Sequence, residues 1–75
     1  MDQIFSMRVF ITVAETGALN SAARQLEVSP SSVSKHIASL ENRLGAQLLN
    51  RTTRQVALTE VGTSYLQSCR LIITE

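Results

Sequence analysis

Hydroxyl groups and positive charges are concentrated in the middle of the chain. Serines stand at positions 29, 31, 32 and 34, and Lys35 follows them directly. Arg51 and Arg54 lie further on, on either side of two threonines. Ammonium, guanidinium and hydroxyl groups all donate hydrogen bonds to phosphate oxygens, and Lys also reaches the O6 and N7 atoms of guanine. These residue types indicate binding of a polyanion.

The charge distribution also favours a polyanion partner. The chain has 75 residues, the size of one small domain, and a formal net charge of +1. Residues 28–58 hold four cations against Glu41 and sum to +3, whereas residues 1–27 and 59–75 each sum to −1. The whole positive excess therefore lies in the segment that carries the serines and arginines. A chance excess of three charges is the alternative.

Other kinds of site find little support. One histidine, His36, and one cysteine, Cys69, are too few for a disulfide framework or a four-ligand zinc site. Each lies on or beside an apolar stripe, which favours packing over metal binding or nucleophilic chemistry. Without paired carboxylates, a glycine-rich phosphate loop or a Ser/His/Asp set, we expect no enzyme, no cofactor and no metal. No run spans a bilayer and no signal peptide opens the chain, so we expect a cytoplasmic protein without membrane contact.

A helix over residues 29–44 would present the serines and Lys35 on one face. Ser29 is a good N-cap, Pro30 suits the first helical position, and Gly45 is placed to end the helix. One side is an apolar stripe of Val33, Ile37, Leu40 and Leu44. The other side is polar and small: Ser31, Lys35, Ala38, Ser39 and Asn42, with Ser34 on its flank. An α-helix of this kind fits the major groove of B-DNA.

The remaining elements support this helix. Apolar spacing predicts a first helix over residues 2–16, ended by Gly17, and a short second helix over about 20–26, with Asn20 as its N-cap and Ser21 as the next candidate. Residues 46–49 and 55–58 predict a two-stranded hairpin with the two arginines at its tip. Two helices joined by a short turn, the second opening with Ser-Pro, describe a helix-turn-helix. The hairpin tip would lie along the DNA backbone or in the minor groove.

A fourth helix is predicted from Thr59, its N-cap, to the end of the sequence. Its apolar stripe is still strong where the sequence stops, so it needs a partner helix or further sequence to cover it. The stripe is formed by Val61, Tyr65, Leu66, Cys69, Ile72 and Ile73.

Three stretches, in order, resemble the N-terminal DNA-binding domain of LysR-type transcriptional regulators. They are FITVAETGALNSAARQL at 10–26, VSPSSVSKHIASLENRL at 28–44 and LLNRTTRQVALTEVG at 48–62. The resemblance implies a mainly α fold, a winged helix-turn-helix of three helices and a two-stranded wing over residues 1–58, followed by the start of a linker helix over 59–75. It also implies a bacterial regulator that binds operator DNA in the cytoplasm, at the nucleoid.

The resemblance assigns roles to single residues. Base-reading positions fall on Pro30, Ser31, Ser34 and Lys35, at the start of recognition helix 30–44. The wing, residues 50–54, carries the family's arginines at Arg51 and Arg54, and backbone-contacting positions fall near Asn20 and Ser21. Many members have Gln-Pro after the capping serine, where this chain has Pro30-Ser31, so a base-reading amide is missing.

The resemblance also implies an assembly. The linker helix pairs with its counterpart in a homodimer, through the stripe of the fourth helix, and a tetramer is compatible with the full-length protein. A larger effector-binding domain, absent from this chain, would bind a small-molecule effector. The rival hypothesis is a winged helix used only for protein association, with Lys35, Arg51 and Arg54 as ordinary solvated charges. A gel shift at low and moderate salt separates the two hypotheses.

Overall fold

The computed structural model describes residues 2–51 and 56–73, and only the backbone of Arg51. Within these residues the element order is α1 (Gln3–Thr16), α2 (Leu19–Leu26), α3 (Pro30–Leu44), β1 (Leu49–Arg51), β2 (Val56–Leu58) and α4 (Glu60–Ile72). The strands pair antiparallel, with Asn50 opposite Ala57. The predicted mainly α winged helix-turn-helix is confirmed.

Capping residues set most of the helix boundaries. The Asp2 carboxylate accepts from the backbone N–H of Ile4 at 3.1 Å, and Ser29 Oγ accepts from Ser32 N–H at 3.1 Å. Thr59 Oγ1 accepts from Gly62 N–H at 2.9 Å. α1 and α3 end at Gly17 (φ 78°) and Gly45 (φ 67°), where a left-handed backbone favours glycine. These starts and stops agree with the prediction from sequence.

The start of α2 differs from the prediction. The helix begins at Leu19, and its N-cap is Ala18, which has an extended backbone (φ −153°, ψ 144°). The methyl side chain of Ala18 cannot accept a hydrogen bond from the first turn. Asn20 lies inside the first turn, so its assignment as N-cap is wrong. Leu19 packs against the core, and this contact accounts for a helix start two residues earlier than Asn20 as N-cap would place it.

The first strand also begins later than predicted. Leu48 is fully buried, and its backbone groups are bonded outside the sheet. Its N–H donates to Glu41 Oε2 at 2.9 Å, and its carbonyl accepts from Thr59 N–H at 3.0 Å. Residues 46–48 therefore form a connection that ties α3 to the start of α4, and pairing begins only at Leu49.

The core lies where α1 is surrounded by the other helices. α1 contributes Phe10 and neighbouring buried residues, and Ala22 and Ala23 of α2 let the helices approach closely. The hairpin docks on the turn between α1 and α2, where Val56 N–H donates to the carbonyl of Gly17 at 3.3 Å. No helix in the described ranges is long and apolar enough to cross a membrane.

Candidate nucleic-acid interface

α3 has one buried side and one exposed side. Val33 and Ile37 are 0% exposed and Leu40 is 1% exposed, so this stripe fixes the helix on the core. Leu44, assigned to the same stripe from sequence, is 43% exposed because the last turn projects past the core. The opposite face is exposed at Pro30, Ser31, Lys35, Ala38 and Asn42, with Ser34 and Ser39 half-buried at its edges.

The start of α3 is ordered by its own serines. Ser29 caps the helix, and Ser29 Oγ and Ser31 Oγ lie 3.2 Å apart, within hydrogen-bond distance. Pro30 occupies the first helical position. The exposed first turn therefore presents hydroxyl groups held in place beside Lys35, one turn further along.

His36 of α3 contacts two residues of α1. Its Nδ1 lies 2.7 Å from Ser6 Oγ, and Ser6 is 1% exposed. The ring also meets Phe5 edge-on, with centroids 5.0 Å apart at 76°. His36 thus lies at the boundary between core and surface, and its ring is occupied by contacts to α1. Among the described residues no cluster of three or more His, Cys, Asp or Glu side chains could hold a metal ion.

Of the other residues predicted to contact DNA, two lie on α2 and one ends β1. Asn20 is exposed and Ser21 half-buried in the first turn of α2. Arg51 ends β1, with its backbone paired to Val56. Arg54 lies outside the described residues. The described part of the wing therefore ends at the backbone of Arg51, and the roles predicted for Arg51 and Arg54 stay predictions.

An open groove separates the exposed face of α3 from β1. Its lining residues come from both elements and from the connection between them: Ser34, Lys35, Ala38, Glu41, Gln47, Leu49 and Asn50. Gln47 and Asn50 are exposed. Neither residue was predicted as an individual contact, although Asn50 falls within the predicted wing, because only the folded connection brings them to the same groove as Lys35. An amide directly before the wing arginine is the one signal that could have indicated Asn50.

α4 directs part of its apolar stripe into the chain's own core. Leu66 is 7% exposed and Cys69 is 0% exposed, and the Tyr65 ring lies 5.7 Å from that of Phe10. Burial raises the pKa of the Cys69 thiol, and burial followed by the neighbouring Cys69 raises the pKa of Tyr65. Leu66 and Cys69 are therefore covered by the core of their own chain, and their assignment to a dimer contact stays a prediction.

The exposed apolar residues of α4 form a different set. Val61 is 46% exposed, Leu71 80% and Ile72 58%, whereas Ile73 packs partly on the core. Leu71 was missed from sequence because it lies off the stripe used to define the helix. On the side towards α1, Arg70 and Glu15 form an ion pair at 3.6 Å between half-exposed side chains.

Comparisons with known proteins match this arrangement. Residues 4–63 match the family of bacterial regulatory helix-turn-helix proteins, lysR family. The chain is 45% identical over 75 residues to the HTH-type transcriptional activator AaeR of Escherichia coli (strain K12), covering all of this chain and 24% of AaeR. It is 45% identical over 69 residues to the HTH-type transcriptional regulator CrgA of Neisseria meningitidis serogroup B, covering 92% of this chain and 23% of CrgA. The chain spans about a quarter of the length of these relatives.

Solved structures that resemble the chain include complexes with DNA. The CbnR DNA-binding domain in complex with DNA superposes with a TM-score of 0.92 at 36% identity, covering 97% of this chain and 83% of that one. The BenM DNA-binding domain bound to catB site 1 DNA gives 0.91 at 31% identity, covering 99% and 82%. Full-length CbnR with its target DNA gives 0.91 at 36% identity, covering 97% and 25%.

Proposed function

Because the chain belongs to the LysR family of bacterial regulatory helix-turn-helix proteins, we propose that it binds double-stranded DNA sequence-specifically, as the DNA-binding domain of a transcriptional regulator. The observation that carries the proposal is the exposed face of α3. It is polar, free of bulky side chains and backed by a fully buried stripe, so the helix can enter a major groove without losing its packing. The role is binding without catalysis, at the bacterial nucleoid in the cytoplasm.

Each part of the proposed surface contacts a different part of the duplex. α3 lies in the major groove, where Ser31, Ser34 and Lys35 reach base edges near Pro30. The wing, residues 50–54, follows the minor groove with Arg51 and Arg54. Asn20 and Ser21, at the start of α2, contact the phosphate backbone.

A homodimer would place two such helices on two half-sites. We propose that the exposed residues of α4, among them Val61, Leu71 and Ile72, form the contact between subunits. α4 also packs on α1 through Leu66 and Cys69, so the linker helix and the winged helix-turn-helix share one core. Higher assembly and effector binding belong to the whole regulator. The chain spans about a quarter of the length of its relatives.

The test is selection of genomic DNA fragments by the chain, followed by titration of a selected fragment and a mixed-sequence duplex over a range of salt. We expect tighter binding to the selected fragment, and affinity for both duplexes that falls steeply with salt as lysines and arginines displace counterions. Enrichment of no sequence, with no salt-dependent binding, would contradict the proposal and favour a role in protein association alone.

A further inference from the structure

The groove between α3 and β1 lies where the geometry of B-DNA would place a phosphodiester strand in the proposed complex. In B-DNA, one phosphodiester strand separates each major groove from the neighbouring minor groove. With α3 in the major groove and the wing in the minor groove, that strand must pass between α3 and the hairpin. The groove lies at this place, with Lys35 and Ala38 on one side and Asn50 on the other.

We propose that the carboxamides of Gln47 and Asn50 bind the phosphates of this dividing strand, as contacts additional to those of the recognition helix and the wing arginines. The inference rests on the proposed DNA binding and adds two residues to its surface. Each carboxamide offers two N–H donors without a charge, which suits a phosphate oxygen. Ala38 has only a methyl group on the facing wall, so the strand can approach closely.

The backbone at both residues is fixed before DNA arrives. Asn50 lies in β1, paired with Ala57. The carbonyl of Gln47 accepts from Thr59 Oγ1 at 2.7 Å, which ties this residue to the N-cap of α4. Donors on a backbone fixed by hydrogen bonds lose less freedom on binding than donors on a free loop, so each contact retains more of its binding energy.

Glu41 is the acidic residue of the groove, and its carboxylate is already engaged. Its Oε2 accepts from Leu48 N–H at 2.9 Å, so the negative charge is directed at the protein backbone. Lys35 lines the same groove and offsets that charge. A phosphate between Lys35 and Asn50 therefore meets donors on both walls.

The experiment measures binding of single variants to a selected genomic fragment and to a mixed-sequence duplex. We expect Asn50→Ala and Gln47→Ala each to weaken binding to both duplexes about tenfold, because a hydrogen bond to a charged group is lost. The slope of log affinity against log salt should stay unchanged, since a neutral carboxamide displaces no counterion. Asn50→Asp should weaken binding still further, because it sets a like charge against the phosphate.

Two variants serve as matched controls. Gln25→Glu adds a negative charge at an exposed position of α2, outside the groove and the proposed subunit contact, and should change affinity by less than about twofold, since distant surface charges are screened. Lys35→Ala should reduce the salt slope by about one, unlike the amide variants. Circular dichroism melts show whether each variant is folded, and the exposed positions of Gln47 and Asn50 predict that they are.

The outcomes separate this inference from the proposed function. Unchanged affinity of Asn50→Asp, with a clear loss in Lys35→Ala, overturns the inference and leaves the proposed function standing. A loss in Asn50→Ala restricted to one base pair also overturns it, because that result indicates base readout. Failure of the unsubstituted chain to bind either duplex overturns both.

Discussion

At the scale of single residues, the polar face of α3 would combine two kinds of contact in the proposed complex with DNA. Ser31 and Ser34 are short, so they act only on atoms close to the helix, whereas Lys35 reaches both bases and phosphates. Pro30 contributes no amide side chain and no backbone N–H. In the proposed complex, discrimination between sequences would therefore depend on Ser31, Ser34 and Lys35, together with the wing arginines Arg51 and Arg54.

Lys35 provides the sharpest test of this surface. We expect Lys35→Ala to weaken binding to the selected fragment by about 1–3 kcal/mol and to relax the preference at one base pair, because its ammonium reads a base edge. Arg24→Ala removes the same charge from an exposed position of α2 and is the matched control. Titration of fragments with single base changes gives the answer. An equal loss on all sequences would show that Lys35 contacts phosphate alone.

At the scale of elements, the connection from α3 to α4 sets the position of the wing. Leu48 is held from both sides, by Glu41 of α3 and by Thr59 at the start of α4. Gly62, in the first turn of α4, packs directly on the backbone of Leu48. A Cβ at position 62 would meet the Leu48 carbonyl oxygen, with the carbonyl carbon 3.0 Å away.

This close approach predicts that Gly62→Ala destabilises the fold. Alanine is the better helix former by about 1 kcal/mol, but the clash with the Leu48 backbone should outweigh that gain and leave a net loss of about 1–3 kcal/mol. Urea unfolding measures the difference. Ser64→Ala, at an exposed position of the same helix, is the control and should change stability by no more than about 0.5 kcal/mol. A Gly62→Ala chain as stable as the original would refute the close contact.

Local sequence predicts some of these elements better than others. Asp2, Ser29 and Thr59 cap their helices with bonds to neighbours two or three residues away, so the sequence nearby is sufficient. The start of α2 depends on packing of Leu19, a tertiary effect. In the same way, periodicity identifies Leu66 and Cys69 as apolar but does not say whether they face their own chain or a partner. The groove residues Gln47 and Asn50 become neighbours of Lys35 only through the fold.

At the scale of the whole molecule, the same core supports the DNA surface and the proposed dimer contact. α1 contacts α2, α3 and α4, so the position of α3 on DNA is linked through one packed helix to the helix that would meet a second subunit. Two half-sites would then be read at a spacing set by α4.

A substitution at Ile72 tests the proposed homodimer. We expect the chain to sediment as a dimer and the Ile72→Glu variant as a monomer, because a carboxylate at a position 58% exposed in the monomer would be buried in the contact. Sedimentation equilibrium measures the mass, and thermal unfolding of the monomeric variant should show a retained fold. Gln25→Glu, on the exposed side of α2, provides the charge control. A monomeric parent chain, or a dimeric Ile72→Glu chain, would contradict the proposed contact.

Because Cys69 is buried, the reactivity of its thiol reports on local opening of the fold. It is the single thiol in the sequence, it is 0% exposed, and burial holds its pKa above the usual range. A maleimide can therefore react with Cys69 only when local opening of α4 exposes the thiol. The alkylation rate measures how often this opening occurs, without any introduced label. Comparing that rate with and without DNA would reveal whether DNA bound at α3 slows the opening of α4.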